Sequence, residues 1–195
     1  MILGITVSIG SGKTTAAKLF SKYHFNRIDA DEIGHELLKS NKNLKNKIIK
    51  DFGKEILGKN KNIDRKRLGD IVFNDRNKLK KLNTLMHPLI ITEIKNQIKK
   101  IQNKCGADAK IIIDAPLLLE VGADKLVNKV IVVKAFHENV IAGNKHFSME
   151  QFEKISMNQM PLAEKLKKAN FMIDNTKDVN HLKKQIKEIV NKLNQ

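Results

Sequence analysis

The sequence predicts an α/β fold: a five-stranded parallel sheet flanked by helices. Three observations carry that expectation. An apolar run from Ile2 to Val7 passes directly into the glycine-rich stretch Ile9-Gly10-Ser11-Gly12-Lys13-Thr14-Thr15. Short apolar strand patterns then alternate with helical ones, the signature of a parallel sheet with crossover helices. Finally, polar loops carrying aspartates follow the second and third strand patterns, where an open α/β sheet gathers its ligand at the carboxyl ends of its strands.

Taken in order, strands are expected at Leu3–Val7, Arg27–Ile28, Ile111–Asp114, Lys129–Val133 and Phe171–Ile173. Between the second and third lies a long, mostly helical region from about Asp31 to Lys104. Its apolar residues recur at helical spacing, as in Leu79, Leu82, Leu85 and Met86, with a break expected at His87-Pro88. A last amphipathic, lysine-rich helix is expected over Val179 to Leu193, its lysines forming a solvated face over an apolar stripe.

The glycine-rich stretch reads as a phosphate-binding P-loop. Glycines let successive backbone N–H groups curl into an anion-binding nest, and a helix N-terminus adds partial positive charge. Gly10, Ser11, Gly12, Lys13, Thr14 and Thr15 are the expected nucleotide-binding residues. Lys13 would reach the β- and γ-phosphates, and the Thr14 hydroxyl would ligate Mg²⁺. The pattern G-x-x-x-x-G-K-[ST] is broken at one position, where Val7 stands for glycine, followed by Ser8. A β-branched residue disfavours φ > 0 and adds bulk where the turn leaves the strand, but the nest from Gly10 to Thr14 is intact.

Composition narrows the function classes. At 195 residues the chain has the size of about one domain. It contains no apolar stretch of the roughly 18 residues that a spanning helix needs, so no membrane partner is expected. The N-terminus leads directly into the first strand and reads as no removable signal. The single Cys105, in a polar loop, excludes an intrachain disulfide, fits a reducing cytoplasm and reads as inert. The net charge of +16 raises the question of nucleic acid, but the lysines are spread along the whole chain and aromatic residues make up only 5%. Stacking platforms for single strands are therefore not expected, and a polyphosphorylated small molecule is the better match to the charge.

Phosphoryl transfer needs charge neutralisation on the moving group, alignment, and an acceptor for the proton of the attacking hydroxyl. The P-loop serves the donor phosphates. Asp31 or Asp29 can orient the acceptor, with Asp31 the better catalyst, and one of the two is expected to cap a helix starting near Glu32. Asp114 closes an apolar strand in the manner of a Walker B aspartate and can order the metal's water shell.

The sets Ile28-Asp29-Ala30-Asp31, Asp64-Arg65-x-x-Leu68 with Val72-Phe73, and Leu82-Asn83 with His87-Pro88 resemble dephospho-coenzyme A kinases. Pro116-Leu117-Leu118-Leu119-Glu120 and Gln159-Met160-Pro161, running on to Lys165, Ala169 and Ile173-Asp174-Asn175, extend the resemblance along essentially the whole chain. The resemblance implies ATP-dependent phosphorylation of the ribose 3′-hydroxyl of dephospho-CoA, the last step of coenzyme A biosynthesis, with ATP and Mg²⁺. Alternatives are a P-loop kinase for another small alcohol or nucleotide, or a catalytically weakened nucleotide-binding relative.

It further implies a single P-loop kinase domain over 1–195, with a helical CoA subdomain at about 32–104 and a lid at about 137–168. The chain would be a cytoplasmic monomer or weak homo-oligomer. Asp31 matches the family's catalytic base. Asp29, Arg65 and His87 fall in or beside segments that hold the acceptor, Pro116 and Leu117 line the cleft, and Asn175 lies near the adenine. His87-Pro88 also reads as a helix-entry turn, and Glu120 as a structural hydrogen-bond partner.

Three departures from the family pattern stand out. Val7-Ser8 replaces a Gly-Gly pair; Val140 and Asn144 stand where lid arginines are usual; and Lys154 replaces another arginine. Supplying an arginine to the transferring phosphoryl group is worth on the order of 10³–10⁵ in rate in related enzymes. Lys145 is the expected substitute, as a point charge without the bidentate fork; neighbouring His146 would help only when protonated.

Overall fold

The computed structural model describes residues 1–7, 13–134 and 159–194, and for Lys13 and Thr14 the backbone alone. All five expected strands form: β1 (Ile2–Val7), β2 (Asn26–Asp29), β3 (Ile111–Asp114), β4 (Lys129–Lys134) and β5 (Phe171–Asp174). They make one sheet in the order β2-β3-β1-β4-β5, and every neighbouring pair is parallel. A parallel sheet places the carboxyl ends of its strands at one edge. The register does so here, with Asp29 beside Asp114, Ile5 beside Asp114, Val7 beside Val133 and Lys134 beside Asp174.

The helices are α1 (Lys13–Phe20), α2 (Ala30–Ser40), α3 (Lys42–Phe52), α4 (Arg65–Phe73), α5 (Arg76–Cys105), α6 (Leu162–Lys167) and α7 (Val179–Leu193) among the described residues. Two compact units emerge: Met1–Asp29 with Asn96–Gln195, and Ala30–Lys95.

In the first unit, alternation along β1 decides which side chain goes where. Leu3, Ile5 and Val7 bury on one face with Phe20 of α1, Ile131 and Val133 of β4, and the α7 stripe Leu182, Ile186 and Val190. Gly4 and Thr6 point to the other face. A Cβ on Gly4 would lie 2.5 Å from Leu118 Cδ2, so glycine there lets the turn after β3 pack on the strand backbone. The Thr6 hydroxyl donates to the Pro116 carbonyl at 2.8 Å. Strand β3 is buried along its whole length, which is why it reads as an unbroken apolar run rather than an alternating one.

The second unit is a helical cluster. Leu44, Ile48 and Phe52 from α3 meet Ile56 of the short turn Lys54–Ile56, Leu68 and Val72 of α4, and Met86 of α5. Asp64 caps α4 by accepting from the backbone N–H groups of Lys66 and Arg67, and Arg67 Nη1 donates to the Leu57 carbonyl at 2.7 Å.

Two expectations about helices need correction. No break occurs at His87-Pro88: α5 is one 30-residue helix with Pro88 inside it. Proline removes one backbone donor and crowds the preceding turn. Burial of Met86 against the second-unit core, with Leu82, Leu85, Leu89 and Ile90 packed alongside, outweighs that local penalty. His87-Pro88 is accordingly not a helix-entry turn. Helix α2, for its part, starts at Ala30 rather than near Glu32. Asp31 therefore lies inside the first turn and is not the residue ahead of it.

Val7 shows why its position tolerates a non-glycine residue. It is still within β1, extended, and only 3% exposed. Its side chain belongs to the core, so the change relocates bulk into packing. Val7→Gly would restore the P-loop pattern yet is expected to lower stability by about 2–4 kcal/mol, from lost burial and added chain freedom. Urea unfolding of the two proteins checks this.

Candidate active site

The carboxyl edge of the first unit's sheet gathers two aspartates and an arginine. Asp114, fully buried, ends β3 directly beside Asp29 at the end of β2. Two adjacent carboxylates would repel, and a buried one is costly unless compensated. Arg27 supplies the compensation. Two residues before Asp29, it projects from the same face of β2, and its guanidinium reaches both acids. Nε donates to Asp114 Oδ2 at 2.9 Å, and Nη2 bridges the same oxygen and Asp29 Oδ2. Burial opposes the charge on Arg27, but hydrogen bonding and attraction to Asp114, with Asp29 adding to both, raise its pKa above the ordinary arginine value. Sequence reading singled out both aspartates and missed Arg27. The available signal was its i, i+2 placement to Asp29 within a strand.

Lys13 opens α1, and Thr15, in the first turn, is exposed. Ser8, Gly10, Ser11 and Gly12 lie outside the described residues, as do the side chains of Lys13 and Thr14. Val140, Asn144, Lys145, His146 and Lys154 lie outside them too.

Pro116 and Leu117, both half-buried, follow Asp114 in the turn after β3. At the end of β5, Asn175 donates its backbone N–H to the Lys134 carbonyl at 2.8 Å. Its neighbour Asp174 is fixed from both sides. Gln185 of α7 accepts from the Asp174 N–H at 2.9 Å and donates to its carbonyl at 2.8 Å. The Asp174 carboxyl is held below its ordinary value chiefly by hydrogen bonding from the Thr176 side chain, against desolvation, with the Thr176 N–H and nearby Lys134 and His181 adding to the effect. Asn175 thus sits on a rigid strand end.

In the second unit, Asp31 is exposed in the first turn of α2, where the helix N-terminus favours a negative charge. Arg65 is the exposed first residue of α4, and His87 is half-buried midway along α5. The structure therefore brings Asp29 and Asp114 together in the first unit and carries Asp31, Arg65 and His87 on the second.

The sequence model of the dephospho-CoA kinase family matches residues 1–181. The chain belongs to that family. A dephospho-CoA kinase of Lactobacillus johnsonii is 36% identical over 195 residues, covering 98% of this chain and 97% of that protein. One from Fusobacterium nucleatum is 39% identical, covering 95% of each. Among solved structures, the dephospho-CoA kinase from Campylobacter jejuni superposes with a TM-score of 0.70 at 30% identity, over 98% of this chain and 96% of that one. The crystal structure of TT1252 from Thermus thermophilus gives a TM-score of 0.79 at 26% identity, over 99% of this chain and 97% of that one. Dephospho-CoA kinase membership makes this chain a kinase built on the P-loop kinase fold, as its five-stranded parallel sheet displays.

The donor set at the sheet edge also fits the metal expected of such a kinase. Among the described residues no three His, Cys, Asp or Glu side chains gather to hold a metal. Mg²⁺ in phosphotransferases, however, takes hard oxygen ligands from only one or two carboxylates, together with water and substrate phosphate. The buried Asp114 carboxylate, kept compensated by Arg27, is a hard oxygen donor of that kind.

Proposed function

We propose that this chain transfers the γ-phosphoryl group of ATP to the 3′-hydroxyl of the ribose of dephospho-CoA, completing coenzyme A. The observation that carries the reading is the family match over residues 1–181, with relatives at 36–39% identity along nearly the full length. In the reaction the ribose oxygen bonds to the γ-phosphorus, the bond from that phosphorus to the bridging oxygen breaks, and ADP leaves. The hydroxyl proton passes to a carboxylate.

The roles follow from chemistry and placement. Backbone N–H groups from Gly10 to Thr14, with the Lys13 ammonium, bind the triphosphate. Asp31 accepts the proton. Asp29, Arg65, His87, Pro116 and Leu117 hold the acceptor, and Asn175 borders the adenine. Thr14 and Asp114 hold Mg²⁺, which when bound supplies screening of the negative charge on the β- and γ-phosphates. Helices within about 32–104 form the CoA-binding part, and about 137–168 forms the lid. Among the described residues no helix is long and apolar enough to cross a membrane. The enzyme works in the cytoplasm, as a monomer or weak homo-oligomer.

Lys145 takes the place of the lid arginines. Replacing it with alanine is expected to lower kcat by about 10²-fold, the usual loss when one donor to the developing charge is removed. Unchanged turnover would rule that role out. The proposed function itself is tested by product analysis. ATP and dephospho-CoA should yield coenzyme A carrying the new phosphate on the ribose 3′-oxygen. Preference for an unrelated alcohol or nucleotide acceptor in the same assay would refute it.

A further inference from the structure

Helix α6 buries one residue, and that residue is a lysine. Lys165 is 0% exposed, whereas Ala163, Glu164 and Lys167 around it face solvent. A lysine ammonium has three protons to donate, and three acceptors surround this one. They are the Val7 carbonyl, the Pro116 carbonyl and Glu120 Oε1, each at 2.9 Å. Glu120 Oε1 also accepts from the Met160 N–H at 2.9 Å. Packing alone does not call for this arrangement, because a buried ion is expensive to desolvate and an apolar residue of the same length would fill the space. The identity of the acceptors supplies the reason. Val7 is the last residue of β1, immediately before the glycine-rich segment in sequence, and Pro116 stands two residues beyond Asp114. The Thr6 hydroxyl meets the same Pro116 carbonyl.

We infer that Lys165, held by Glu120, is a positioning residue for the phosphate site. Its ammonium pins the end of β1, from which the nucleotide-binding segment departs, to the turn that follows the Asp114 strand. Lys165 does not touch the reacting atoms on this account; it acts through the backbone of Val7 and Pro116. The inference rests on the proposed function for its meaning and extends it to residues given no role there.

The test compares wild type with Lys165→Met, a linear apolar replacement, and with Glu120→Gln, which keeps acceptor and size but loses the counter-charge. Three quantities are measured: ATP affinity by calorimetric titration without acceptor, KM for dephospho-CoA, and Tm. Small displacements at a distance from the chemistry can cost about a hundredfold, so Lys165→Met should weaken ATP binding about ten- to hundredfold. KM for dephospho-CoA should rise as well, because the same ammonium holds the turn of Pro116, which is assigned to the acceptor. Glu120→Gln should weaken ATP binding about three- to tenfold, the range of one altered hydrogen bond.

A folded Lys165→Met protein with wild-type ATP affinity and only a lowered Tm would reduce Lys165 to a structural role and overturn the inference. If that variant does not fold, Glu120→Gln decides by the same affinity measurement: wild-type affinity overturns the inference and the expected weakening supports it. The titration contains no acceptor. A wild-type protein that binds ATP but leaves dephospho-CoA untouched would refute the proposed function without touching this result.

Discussion

Replacing Asp31 with asparagine is expected to lower kcat by about 10²–10⁴-fold, the contribution of a positioned general base. ATP affinity should stay within about twofold, since the triphosphate is bound by other groups. The choice of Asp31 over Asp29 rests on the match of Asp31 to the family's base and on what the Asp29 carboxylate already does. Asp29 Oδ2 is committed to the Arg27 guanidinium, which also holds the buried Asp114. An oxygen engaged in that way is a poor acceptor for a substrate proton, and moving it would disturb the compensation of Asp114. Asp31 stands exposed in the first turn of α2, accessible to a ligand. Asparagine preserves size and polarity there, so the substitution removes proton acceptance along with the negative charge at the helix N-terminus. Asp29→Asn is the control. Near-normal turnover in Asp31→Asn, with loss in Asp29→Asn, would reverse the assignment.

Lys13→Ala is expected to reduce kcat/KM for ATP by about 10²–10³-fold or more, because it deletes the charge aimed at the β- and γ-phosphates. The fold should survive. Helix α1 is anchored by Ala16, Ala17 and Phe20, all fully buried, and alanine is a strong helix former. Circular dichroism and Tm close to wild type, together with lost ATP use, would separate a binding defect from unfolding. An unchanged kcat/KM would remove Lys13 from the phosphate site.

The fold was largely legible because its core signals are periodic. The apolar runs that became β1, β3 and β4 were found to within a residue at each end, and α7 was bounded correctly at both ends from its stripe of Leu182, Ile186, Ile189 and Val190. Local rules failed where distant packing decides. Pro88 is a breaker in any local reading, yet the buried residues on either side carry α5 through it. The start of α2 shifted by two residues because Asp29 belongs to the strand and leaves no separate capping loop.

The candidate site divides the same way. Asp29, Asp31 and Asp114 were visible because acids at the ends of apolar strands are conspicuous. The roles of Arg27 and Lys165 were not, for different reasons. Arg27 enters only as the first residue of a short expected strand, and its meaning depends on a cross-strand neighbour 87 positions away. Lys165 matches the family pattern by position, but as one of 37 Lys and Arg with exposed Lys167 and Lys168 beside it, nothing local assigns it a buried role. Only the three-dimensional arrangement shows that one of these lysines is buried against the exit of β1.

The most direct test is ADP release from ATP and Mg²⁺, measured with and without dephospho-CoA beside a Lys13→Ala control. Release that requires both dephospho-CoA and Lys13, with coenzyme A as the second product, is the predicted result. ATP binding without any dephospho-CoA-dependent release would contradict it.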